Sequence, residues 1–251
     1  MPVRSFGALG AGVCILLCAP VVCAQAPREA AEAEPRGRIS VRELSIPESA
    51  RKNYARSREE LIEKQQPECA IGHLRKAIDE FPDYYEAWYL LGVAHITLGQ
   101  PEQAEAALRK SVSLSAERFP QPFIALATMF ADRGRFAEAE PLAAQAVELD
   151  DSAWYAHYEL ARARLGLNRP DEALASARLV VREQPDYARG RLLLAMTHAR
   201  RREFGEAQVH LDTYLRLEPE GPARARMLAL RDEMARAAAA VQATIAASPP
   251  D

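Results

Sequence analysis

Five histidines, one cysteine outside the N-terminal apolar run and a scatter of carboxylates are the side chains of this 251-residue chain that could do acid–base, nucleophilic or metal chemistry. Such chemistry needs fixed relations: ligands sharing a helix face, a nucleophile beside its base, or a glycine-rich loop around a phosphate. No HExxH, GxSxG, phosphate-loop or CxxC spacing occurs. His95 and His198 read as packed structural histidines, His73 and His210 as residues of an outer helix surface, and the carboxylates as solvated helix faces. No catalytic residue, cofactor or metal site is expected. Cys69 reads as a partly buried, inert thiol. A net charge of -3 without a basic run argues against a nucleic-acid partner.

The chemistry that remains is recognition, and the question becomes which elements would present it. Arg4 precedes the uncharged apolar run from Phe6 to Ala24, a secretory signal pattern. Residues 1–24 are therefore expected to be a signal peptide cut before Gln25, leaving a periplasmic or secreted protein with a flexible linker at 25–44. A membrane anchor is less favoured because the run is barely long enough to span a bilayer. A lipoprotein is disfavoured because Leu17 precedes Cys18 and Val22 precedes Cys23. From Ser45, paired with Glu48 as a capping box and followed by Pro47, helical spacing of apolar residues continues to Ala247.

Within that stretch a pattern returns every 34 residues, aligning Tyr54, Trp88, Phe123, His157 and Arg191. Five units follow, 51–84, 85–118, 120–153, 154–187 and 188–221, with Phe119 as the one extra residue. Leu91-Gly92, Leu126-Ala127, Leu160-Ala161 and Leu194-Ala195 match one another, as do Ala70, Ala104, Ala139, Ala173 and Ala207. Small residues at these two places let paired helices approach closely, while Leu74, Leu108, Leu211 and Phe130 supply bulk. Gly99-Gln-Pro101, Gly134-Arg-Phe136 and Asn168-Arg-Pro170 mark turns, and Pro67, Pro101 and Pro170 suit helix starts.

The pattern resembles the tetratricopeptide repeat family over residues 51–221. The resemblance implies an all-α fold: a right-handed α-solenoid of about five helix hairpins, closed here by a C-terminal capping helix at 222–247 and a tail at 248–251. The first unit departs from the pattern, with Ser57-Arg58 replacing the Leu-Gly/Ala pair, and reads as a modified N-terminal cap. In the last helix Met227, Leu230, Met234, Ala237 and Val241 form a stripe that suits capping or, alternatively, a homodimer through 222–247.

The resemblance also implies a concave groove lined by the first helix of each unit. Its residues would be Glu59 and Glu63, then Glu86, Tyr89, Val93 and Ile96, then Ile124 and Asp132, then Tyr155, Tyr158 and Arg162, and finally Arg189, Leu192, Met196 and Arg200. A lining that passes from acidic through apolar and aromatic to basic suits a peptide or protein segment with hydrophobic anchors. The expected function is that of a non-catalytic exported adaptor or scaffold. The alternative is a structural subunit of an envelope assembly, in outer-membrane or pilus biogenesis, docking through its convex face or last helix.

Overall fold

The computed structural model describes residues 45–247, with side chains through 243. The expected signal peptide, most of the linker and the tail lie outside the described residues. The described chain is helical throughout: α1 (Glu48–Arg58) running into a π-helical turn (Glu59–Glu63), α2 (Pro67–Glu80), α3 (Tyr85–Thr97), α4 (Pro101–Leu114), α5 (Pro120–Asp132), α6 (Phe136–Leu149), α7 (Trp154–Gly166), α8 (Pro170–Glu183), α9 (Ala188–Arg200), α10 (Phe204–Leu217) and α11 (Arg224–Ala247). It forms two compact units. One holds residues 45–133 and 145–150, the other 134–144 and 151–247.

In the first unit α1 packs on α2 and α3 on α4, with α2 against α3 and α4 against α5. In the second, α7 pairs with α8 and α9 with α10, α8 packs on α9, and α11 lies on α10. Close approach within a pair rests on the small residues. Ala70, Ala104, Ala139, Ala173 and Ala207 are all fully buried. A Cβ added at Gly92 would stand 2.6 Å from Leu108 Cγ and 3.3 Å from the Ala104 carbonyl oxygen. At Gly166 it would meet the Phe136 ring at 2.4 Å, so α6 and α7 also pack through a glycine.

The turns α1–α2, α3–α4, α5–α6, α7–α8 and α9–α10 each place one residue in the left-handed region, Gln65 (φ 53°), Gly99 (66°), Gly134 (72°), Asn168 (59°) and Arg202 (64°), and the α4–α5 turn places two, Ala116 (50°) and Glu117 (58°). That conformation suits glycine and costs a residue with a Cβ about 1 kcal/mol. A Cβ at Gly99 would enter open space, so only backbone strain opposes a substitution there. Gly99→Ala is expected to lower stability by about 1 kcal/mol and Arg202→Gly to raise it by about 0.5–1 kcal/mol, as read from urea unfolding midpoints.

The degenerate aromatic position of the repeat has a shared bond behind it. Trp88 Nε1 donates to the Pro82 carbonyl (2.9 Å), His157 Nε2 to that of Asp151 (3.0 Å) and Arg191 Nε to that of Pro185 (3.0 Å). Indole, imidazole and guanidinium all supply a planar N–H, six residues beyond the carbonyl they hold in the preceding turn. Tyr54, at the matching place in the first pair, instead packs its ring on Tyr84 at 4.9 Å.

Four expectations are corrected. The helix does not begin with a Ser45–Glu48 capping box, because Pro47 stands at the N-cap and makes no side-chain cap bond. Cys69 is exposed on α2 rather than partly buried, since it points away from the buried stripe of Ala70, Leu74 and Ala77. His73 and His210 are half-buried rather than on an outer surface: His73 Nδ1 lies 3.3 Å from Asn53 Oδ1, and His210 stacks on His198. The stripe on α11 is also divided, with Met227, Leu230 and Met234 buried while Val241 is 46% exposed.

Candidate protein-binding faces

In the first unit the face to be tested is made by α1, the π turn, α3 and α5. Glu59 and Glu63 lie in the π turn, where Lys64 N–H bonds to the Glu59 carbonyl at 3.1 Å, one residue wider than an α-helical turn. Both are exposed, and Glu59 pairs with Lys64 at 2.8 Å, which holds its carboxyl below the usual range. The wider turn moves them off the regular spacing of α1. Immediately before it, the buried Ser57 hydroxyl donates back to the Tyr54 carbonyl at 2.6 Å, a bond that bends helices.

On α3, Glu86 and Ile96 are partly accessible, whereas Tyr89 and Val93 are buried. Phe119, the extra residue between units, packs on Tyr85 (5.1 Å) and edge-on against Tyr89 (5.5 Å). Sequence reasoning missed this contact, although an aromatic insertion in an otherwise polar turn was its signal. Ile124 and Asp132 on α5 are partly accessible. The reachable part of this face is therefore acidic with isoleucine anchors.

In the second unit the face is carried by α7 and α9. Tyr155 stacks on Tyr158 (5.7 Å), Tyr158 meets Tyr187 edge-on (5.4 Å), and Trp154 meets Tyr187 (5.0 Å). Burial pushes the Tyr187 phenol well above its usual range, with Tyr158 adding to the effect. Beside these rings Arg162 Nη1 donates to Glu159 Oε2 at 3.2 Å, and the two side chains are 1% and 0% exposed. Tyr155, Tyr158, Arg162, Leu192 and Met196 are thus buried. Arg189 and Arg200 are partly accessible, and Arg200 also bonds the Asn168 side chain at 3.2 Å. The reachable part of this face is arginine-rich.

Burial changes what substitutions would report. Changing Tyr89, Tyr158 or Arg162 removes core contacts, so Glu86, Ile96, Ile124, Arg189 and Arg200 are the positions that read binding. Among the described residues, no group of three His, Cys, Asp or Glu is placed to hold a metal ion, and no helix is long and apolar enough to cross a membrane.

Family models described as tetratricopeptide repeat match residues 61–116 and 124–188. Among solved structures, the chain is similar to PilW, titled a widely conserved type IV pilus biogenesis factor, at 16% identity and a TM-score of 0.64, over 80% of this chain and 96% of that one. It is similar to YrrB, titled a protein with an unusual peptide-binding site, at 20% identity and a TM-score of 0.58, over 84% and 98%. It is also similar to MamA from Desulfovibrio magneticus RS-1, at 18% identity and a TM-score of 0.61, over 71% and 99%. No curated protein sequence matches.

Proposed function

Because this chain is a tetratricopeptide repeat protein, we propose that it is a non-catalytic scaffold which captures a peptide or protein segment on the first-helix faces of its repeats. The repeat boundaries 51–84, 85–118, 120–153, 154–187 and 188–221, with a capping helix from 222, belong to this proposal. The observation that carries it is the contrast in reachable side chains. Glu86, Ile96, Ile124 and Asp132 are offered by one unit, Arg189 and Arg200 by the other. Isoleucine anchors on the first unit can fill apolar pockets in a partner, and arginines on the second can pair with a partner's carboxylates.

Export is part of the same proposal, supported by the apolar run Phe6–Ala24. N-terminal sequencing of the protein recovered from the envelope fraction of its source cells tests it. A mature chain beginning at Gln25 is expected; a retained Met1 would refute cleavage.

A second reading, docking through the outer helices in an envelope assembly, draws on Val209, 58% exposed on α10, and on Val241. Affinity capture of partners by the mature chain separates the two. Ile96→Glu with Arg189→Glu should abolish capture while Val209→Glu leaves it intact, and the reverse pattern would transfer the interaction to the outer face. Both variants change accessible side chains, so circular dichroism should match the parent protein.

A further inference from the structure

We propose that the stacked imidazoles of His198 and His210 make the α9–α10 pair an acid-opened element, stable at neutral pH and loosened when His210 takes up a proton against the face of its neighbour. The ring centroids are 5.6 Å apart and the planes 13° from parallel. His198 is buried, and its Nδ1 lies 2.6 Å from Glu203 Oε2. A carboxylate can only accept, so that nitrogen carries the proton. His210 Nδ1 is buried without a hydrogen-bond partner.

The surroundings decide which ring resists charging. Around His210 stand His198 and Arg191 on α9 and Arg178 on α8, all cationic or able to become so, against Glu206 on its own helix. Glu203, the one carboxylate on His198, is itself held down to about 2 by Arg201 first and His198 second. The α11 helix packs on α10 as well, and its Arg231 lies 3.7 Å from Asp212. Burial first, and then His198, push His210 down to about 4 from an ordinary 6.5.

The sign follows from linkage. Above pH 6.5 His210 is neutral whether the pair is packed or open. Between 6.5 and 4 the open form binds a proton that the packed form refuses, so the packed form loses stability as pH falls through that window.

An internal reference lies in the same chain. His95 on α3 has the same bond to the residue five places on, 2.7 Å to Gln100 Oε1, but the residue twelve beyond it is Ala107 rather than a second imidazole. The α3–α4 pair should lack the response.

Hydrogen exchange on the full-length protein at pH 7 and pH 5, corrected for intrinsic exchange, tests this. Opening of α9–α10 amides is expected to rise about tenfold at the lower pH, roughly half of the ~20-fold linkage limit because His210 is only half-buried, with α3–α4 unchanged. The rise should vanish in both His210→Gln and His210→Phe; the first keeps a polar group and the second a packed ring. An equal rise in both helix pairs, or a rise that persists in both variants, would overturn the proposal. The inference does not depend on where a partner binds.

Discussion

Arg162→Met will destabilise the protein by about 3–5 kcal/mol at pH 7, because it leaves the Glu159 carboxylate buried beside it without the guanidinium that compensates it. Removing two charges from water is costly, and the pair recovers that cost only while both members remain. The double variant Arg162→Met with Glu159→Leu should therefore regain most of the loss, since an apolar pair of similar volume is often neutral relative to a buried ion pair. Urea unfolding of the three proteins gives the comparison. A single variant within about 1 kcal/mol of the parent would contradict this account of the pair. This result matters for function too: a loss of partner binding by an Arg162 variant would report unfolding before it reported recognition.

The second large effect lies where α3 meets α4. Leu108 is fully buried, and Leu108→Ala is expected to cost about 2–5 kcal/mol through lost transfer energy and a residual cavity. Gly92→Ala should cost about 1–3 kcal/mol, because its new Cβ would stand 2.6 Å from Leu108 Cγ and 2.7 Å from Cδ2. The two changes meet at the same atoms and so should not add. In Gly92→Ala with Leu108→Ala the methyl group enters space the leucine vacates, and the double variant should be at least about 1 kcal/mol more stable than the sum of the singles predicts. Additive losses would mean that the α3–α4 contact is looser than its geometry.

The pairing of helices was legible because it rests on residue size at fixed intervals, and size is written in the sequence. Ala104 facing Gly92, and Pro101 or Pro170 opening a helix, follow directly from residue type. The turns were legible only where glycine or asparagine occupies the left-handed position. Gln65 and Arg202, like Ala116 and Glu117, adopt the same conformation against the local preference of their residue types. Likewise Trp88, His157 and Arg191 look unrelated as letters and become equivalent once their shared bond to a preceding carbonyl is seen.

Depth was the hardest property to read from the candidate binding faces. Spacing places Tyr158 and Arg162 on one side of α7, but it does not say how far the surrounding rings enclose them. Nor does it reveal the π turn that displaces Glu59 and Glu63, because that turn is a matter of wider backbone bonds, such as Lys64 N–H to the Glu59 carbonyl and Gln66 N–H to that of Glu60, rather than of a residue pattern. The His198–His210 stack was missed for a related reason. Its members are twelve residues apart on different helices, and each looks ordinary by itself.

The central claim is that partners are held by the first-helix faces, and site-specific photo-crosslinking in the source cells tests it most directly. A photoreactive phenylalanine derivative placed singly at Ile96, Ile124, Arg189 or Arg200, all partly accessible, should form crosslinks to partner protein, while the same group at the exposed Val209 or Glu206 should not. Crosslinks that form from Val209 and Glu206 but from none of the four face positions would contradict the claim and place the interaction on the outer helices.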